Sequence, residues 1–145
     1  NPREIAFLGC DMSYPKSSKT HFYGTGTADP LREDITLISL EAKAARLYAL
    51  ALAQGCEITN LSKETSRLIA PRRSLLEPRP EPFEIDKVQK TYALAREQEL
   101  AYYVASGRYW EKLERFDIEQ IKRLDALWSN VVIERKGAAA LMRGH

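Results

Sequence analysis

Apolar and polar positions along this chain change period several times, and each change marks an element. Glu4 to Cys10 contains a short apolar run, Ile5-Ala6-Phe7-Leu8, closed by Gly9 and Asp11, which reads as a buried strand. From Met12 to Asp34 no period holds, and Ser, Lys, Thr, Gly and Pro dominate. Loops longer than roughly a dozen residues in compact domains are usually functional or disordered. Ile35 to Gln54 then takes a helical period, with Leu37, Leu40, Ala44, Leu47 and Ala51 on one stripe. Asp34 is its expected N-cap, with Pro30 just upstream, and Gly55 its expected stop. Cys56 to Leu61 reads as a second short strand. Strand, helix and strand make a βαβ unit, which implies parallel strands and a right-handed crossover.

Beyond Leu61 the pattern changes. Ser62 can cap a short helical turn, and Ile69 to Pro82 carries Pro71, Pro78, Pro80 and Pro82, which excludes long regular structure. From Phe83 to about Lys136 the composition is helical. One helix is expected from about Ile85 to Ala105, stopped by Ser106-Gly107. A second is capped by Asp117 and carries Ile121, Leu124, Leu127, Trp128 and Val131 on one side. Short connections between them predict an αα-hairpin, with Gly137 to His145 as a frayed tail. The expected class is α/β, a partial Rossmann-like parallel sheet followed by a helical hairpin. Residues 1–82 form the α/β segment, and 83–145 a helical segment packing on it or on a partner. Two parallel strands are too few to stand alone, so further strands are expected upstream of Asn1 in a longer parent, or from another chain.

A chain of 145 residues with a net charge of +2 fits one ordinary domain and gives no compositional argument for nucleic acid. No apolar run approaches the roughly 20 residues that span a bilayer, and no signal peptide is visible at Asn1. Cys10 and Cys56 are widely spaced and flanked by apolar residues, so they read as reduced thiols of a cytoplasmic protein. Neither a metal-ligand pattern nor a cofactor fingerprint is present, and none is expected.

Chemistry-capable residues gather after the two strands. Asp11 follows the first directly, where a carboxylate either orients a ligand at the carboxyl end of a parallel sheet or closes its own turn. His21, the one internal histidine, is the natural general base, or else packs between Phe22 and Tyr23. Tyr14 and Tyr23 can donate to phosphate oxygens or simply pack the loop. Gly24-Thr25-Gly26 can bring backbone N–H groups to an anion, or serve only as a turn. Asn60 and Ser62 end the second strand beside the first. Arg67, Arg72 and Arg73 suit oxyanion recognition, with surface pairing to nearby glutamates as the commoner fate. Tyr92, Tyr102, Tyr103, Tyr109, Trp110 and Trp128 sit at helical spacing, which favours core packing or a subunit interface over stacking on sugars or bases.

Gly9-Cys10-Asp11, an aromatic shortly after, the Thr20-His21-Phe22-Tyr23-Gly24 loop, an Ala/Leu-rich helix and Asn60-Leu61-Ser62 together resemble the C-terminal half of bacterial sialyltransferases. The resemblance covers about Ile5 to Arg73. It implies metal-independent, inverting transfer of an acidic sugar from a nucleotide donor, of the CMP-linked kind, to an acceptor hydroxyl. On that resemblance His21 is the base, Tyr14 and Tyr23 contact the departing phosphate, and Asn60 and Ser62 line the donor pocket. The family's glycine-rich nucleotide motif, normally on an earlier strand, is absent from these residues. The alternative is a non-catalytic binding or oligomerisation module in which the helical half joins copies into a homo-oligomer. A pyrophosphokinase-like domain of the same Rossmann group shares the strand-end aspartate.

Overall fold

A computed structural model describes residues 2–11 and 39–134. Strand β1 (Glu4–Phe7) and strand β2 (Glu57–Asn60) pair in parallel, Glu4 opposite Glu57 and Phe7 opposite Asn60. Helix α1 (Leu40–Ala53) lies between them in sequence, so the expected strand–helix–strand unit is present. Alternation along a strand sends successive side chains to opposite faces. Ile5, Phe7 and Ile58 accordingly pack with Ala44 and Tyr48 of α1. Glu4 and Thr59 meet on the other face, where the Thr59 hydroxyl donates to Glu4 Oε1 at 3.1 Å.

Helix α1 starts later than the periodicity suggests. Its N-cap is Ser39, in extended conformation, whose hydroxyl accepts from the Ala42 amide at 3.2 Å. Asp34 therefore does not cap this helix, and the stretch 12–38 lies outside the described residues. The expected stop is observed, with Gly55 at φ +73°. The proline-bearing segment adds one parallel rung to the outer edge of β2. There the Asn60 amide donates to Pro71 O at 2.9 Å, and the Arg73 amide to Asn60 O at 3.2 Å. Among the described residues no strand pairs with the other edge of β1.

The helical half differs from a simple hairpin. Helix α2 (Lys87–Glu99) is capped by Asp86, and α3 (Ile118–Ser129) by Asp117 as expected. α2 ends six residues before Ala105. Ala101 sits at φ +47°, a left-handed conformation uncommon for a residue with a Cβ. That reversal turns Tyr102 inward, 5.0 Å from the Tyr109 and Phe116 rings. The link from 100 to 117 is long and holds a 3₁₀ segment, Tyr109–Arg115. A short antiparallel rung, β3 (Glu84–Ile85) with β4 (Val132–Ile133), clasps the two ends of this half.

The core joins both halves. Ala42 and Ala49 of α1 pack with Ala93, Ile121, Leu124, Trp128 and Val131. Small residues on α1 let α3 approach closely, and Trp128, 1% exposed, fills the space between them. Of the aromatic group, Trp128 and Tyr102 are buried and Tyr109 half-buried, whereas Tyr92 and Tyr103 are exposed.

Candidate functional site

The carboxyl ends of β1 and β2 are bound into one edge by contacts between residues far apart in sequence. The Gly9 amide donates to Ser62 Oγ at 3.0 Å, and Ser66 Oγ donates to Cys10 O at 3.2 Å. The Arg67 amide donates to Asp11 O at 2.8 Å. The Arg67 guanidinium forms a forked pair with Glu41 in the first turn of α1, its Nη2 donating to Oε2 at 2.7 Å. Hydrogen bonding to Arg67 holds the Glu41 carboxyl below the usual carboxylate range and raises the guanidinium in return. Through Arg67, then, the end of β1 and the start of α1 are held together. The stretch 12–38 departs at Asp11 and rejoins the described structure at Ser39, both at this edge.

Asn60 lies under the edge and is fully buried. Its Oδ1 accepts from the Ser62 amide at 2.9 Å, closing a turn, while its Nδ2 has no hydrogen-bond partner among the described residues. A buried, unsatisfied amide donor costs about 1–3 kcal/mol.

The structure thus brings together Asp11, Asn60, Ser62 and Arg67, with Arg72 alongside. Tyr14, His21, Tyr23, Gly24, Thr25 and Gly26 lie outside the described residues. The arginines are already engaged. Arg72 Nη1 donates to Ser62 O and Glu64 O at 2.8 Å each and so ties down the loop beyond β2. Arg73 pairs with Glu4 at 2.8 Å, and Arg79 with Glu4 at 3.0 Å. Hydrogen bonding to Arg73 lowers the Glu4 carboxyl. Pairing is therefore the arrangement seen for Arg67 and Arg73, but with Glu41 and Glu4 rather than with sequence neighbours. Cys10 and Cys56 are both free thiols.

A second polar set, on α1, α2 and α3, escaped sequence reasoning. Arg46 forms a forked pair with Glu97 at 2.8 and 2.6 Å, and the Trp128 indole N–H donates to Glu97 Oε2 at 3.0 Å. Lys43 pairs with buried Asp125 at 2.6 Å, and desolvation pushes the Asp125 carboxyl upward despite that lysine. Helical spacing of Arg46 and Lys43, the two cations of an Ala/Leu-rich helix, was the available signal. Their partners lie 51 and 82 residues away, beyond local pattern. Beside this network an apolar groove of about 530 Å³ runs along α1, floored by Leu47, Leu50 and Ala51 and bordered by Ile5 and Tyr109.

Compared with models of known protein families, with curated proteins and with solved structures, the chain matches none.

Proposed function

We propose that the edge formed by Asp11, Asn60, Ser62 and Arg67 is the ligand-bearing edge of a glycosyltransferase-like domain. In this reading a nucleotide-linked acidic sugar, of the CMP-linked kind, donates to an acceptor hydroxyl without a metal. The observation that carries it is the double attachment through Arg67. Both ends of the segment bearing Tyr14, His21 and Tyr23 meet at the carboxyl ends of parallel strands, which is where open α/β sheets receive ligands.

Within this reading each residue has a distinct task. His21 takes the proton from the acceptor hydroxyl as general base. Tyr14 and Tyr23 donate to the phosphate as negative charge develops on it, with backbone N–H groups of Gly24-Thr25-Gly26 beside them. Asn60 and Ser62 shape the nucleotide side. Arg67 and Arg72, engaged by Glu41 and by loop carbonyls, position the edge rather than touch substrate. A Rossmann-like sheet extending beyond these two strands belongs to the same proposal.

Calorimetric titration with CMP, AMP and GMP tests the reading. It expects measurable CMP binding at millimolar ligand or below, weakened by Ser62→Ala. Equal or absent binding of all three would overturn it and favour the non-catalytic binding module.

A further inference from the structure

The antiparallel rung of β3 and β4 sets the direction in which the chain leaves its last described residue. Glu84 lies opposite Ile133 and Ile85 opposite Val132. Continuing that register places Glu134 opposite Phe83, Arg135 opposite Pro82 and Lys136 opposite Glu81. A cleft of about 620 Å³ lies on this line, bordered by Pro80, Glu81, Pro82, Phe83 and Glu134 itself. Leu68, Ile69 and Ala70 also line it. Ile69 and Phe83 are half-buried, so apolar surface is left open there. We propose that this cleft is the seat of the chain's own residues 135–142.

Three features favour that occupant over another. The first is path. The rung aims the chain along 80–83, and Pro80 and Pro82 have no N–H to offer a continuing ladder. Side chains must therefore hold whatever follows Ile133. The second is charge. Glu81 and Glu134 border the cleft, and the register sets Lys136 against Glu81, the opposite-charge pairing that stabilises facing strands. Arg72, the cation among the described lining residues, is engaged by the carbonyls of Ser62 and Glu64. The third is apolar pattern and reach. Ala138-Ala139-Ala140-Leu141-Met142 is an uncharged apolar run placed directly after the basic pair. Extended chain advances about 3.3 Å per residue, so this run covers about 16 Å, enough to cross a cleft of that volume. Leu141 is its largest branched side chain and fits against Ile69 and Phe83. Ser66 also lines the cleft, and its hydroxyl donates to Cys10 O. The seated segment therefore backs the loop behind the strand-end edge. Seating and sugar transfer do not depend on each other.

Hydrogen exchange and backbone amide resonances of the intact chain are the test. In wild-type protein, amides from Ala139 to Met142 should exchange at least about tenfold more slowly than in an unstructured peptide. Leu141→Asp should return them to the unstructured rate and shift the resonances of Leu68, Ile69, Ala70 and Phe83. Lys136→Glu, setting like charge against Glu81, should reduce the protection several-fold. Protection should survive about tenfold dilution of the protein, because segment and cleft belong to one chain. Unstructured exchange rates from Ala139 to Met142 in wild type overturn the proposal, as do cleft resonances unmoved by Leu141→Asp or protection unmoved by Lys136→Glu. Protection that falls on dilution also overturns it, by assigning the cleft to the same segment of a second copy.

Discussion

Replacing Glu97 isolates the polar network that fastens the three helices. Its carboxylate receives two bonds from Arg46 and one from the Trp128 indole. Glu97→Ala removes all three, but their losses are unequal. The Arg46 side chain is 39% exposed, so water recovers much of its share, and about 1 kcal/mol is lost there. Trp128 is 1% exposed, so its N–H has no replacement acceptor, and a buried orphan donor costs about 1–3 kcal/mol. The sum is about 2–4 kcal/mol. Glu97→Gln keeps one acceptor for the indole and loses mainly the ionic share, so about 1–2 kcal/mol is expected. Urea unfolding followed by circular dichroism at neutral pH measures both, the denaturant slope confirming an unchanged unfolding reaction. A Glu97→Ala loss below about 0.5 kcal/mol, the scatter of ordinary surface substitutions, would refute the reasoning. So would a Glu97→Gln loss larger than that of Glu97→Ala.

Four further outcomes follow from the described contacts. Asn60→Ala deletes the turn-closing bond but also the orphan Nδ2, so unfolding should show a change within about 1 kcal/mol; a loss above about 3 kcal/mol would mean Nδ2 is satisfied in solution. Ser62→Ala removes the acceptor of the Gly9 amide, and hydrogen exchange at Gly9 should quicken about fivefold or more, matching about 1 kcal/mol of lost protection; unchanged exchange contradicts that bond. Because burial raises Asp125 above its ordinary value of 3.8, the native state holds that proton more tightly than the unfolded chain. Its contribution to stability therefore falls as pH rises from about that value through the raised one, and Asp125→Asn should abolish this decline. The lowered Glu41 carboxyl behaves oppositely: its contribution is present above the ordinary value of 4.5 and lost as pH falls through the lowered value. Glu41→Gln should make acid unfolding shallower, and an unchanged acid limb would show that the Arg67 pair does not form in solution.

The parallel pairing of β1 and β2 was legible because short apolar runs flank an Ala/Leu-rich helix ended by Gly55. The Asp117 cap was legible for the same local reason, an acceptor just before an apolar stripe. Helix ends failed where the local cue was missing or misleading. Ser39 outcompeted Asp34 as the cap of α1, and Ala101 reverses the chain without the glycine that would announce it. The strand-end cluster was legible in membership, since Asp11, Asn60, Ser62 and Arg67 sit where strand ends must lie. Its bonding was not. Arg67 pairs with Glu41, 26 residues away, and Arg46 with Glu97, 51 residues away. Such pairs are settled by which helix faces meet, which depends on the packing of Ala42, Ala49, Ala93 and Trp128. No local period encodes that.

The most direct test of the proposed ligand-bearing edge is a map of where ligand binds. Titrating isotopically labelled protein with CMP while following backbone amide resonances separates this edge from the α1 groove. The account predicts saturable shifts concentrated at Gly9, Cys10, Asp11, Leu61, Ser62 and Arg67, larger than those caused by AMP or GMP. Shifts confined to the groove around Leu47 and Leu50, or no CMP-specific shifts at millimolar ligand, would contradict it.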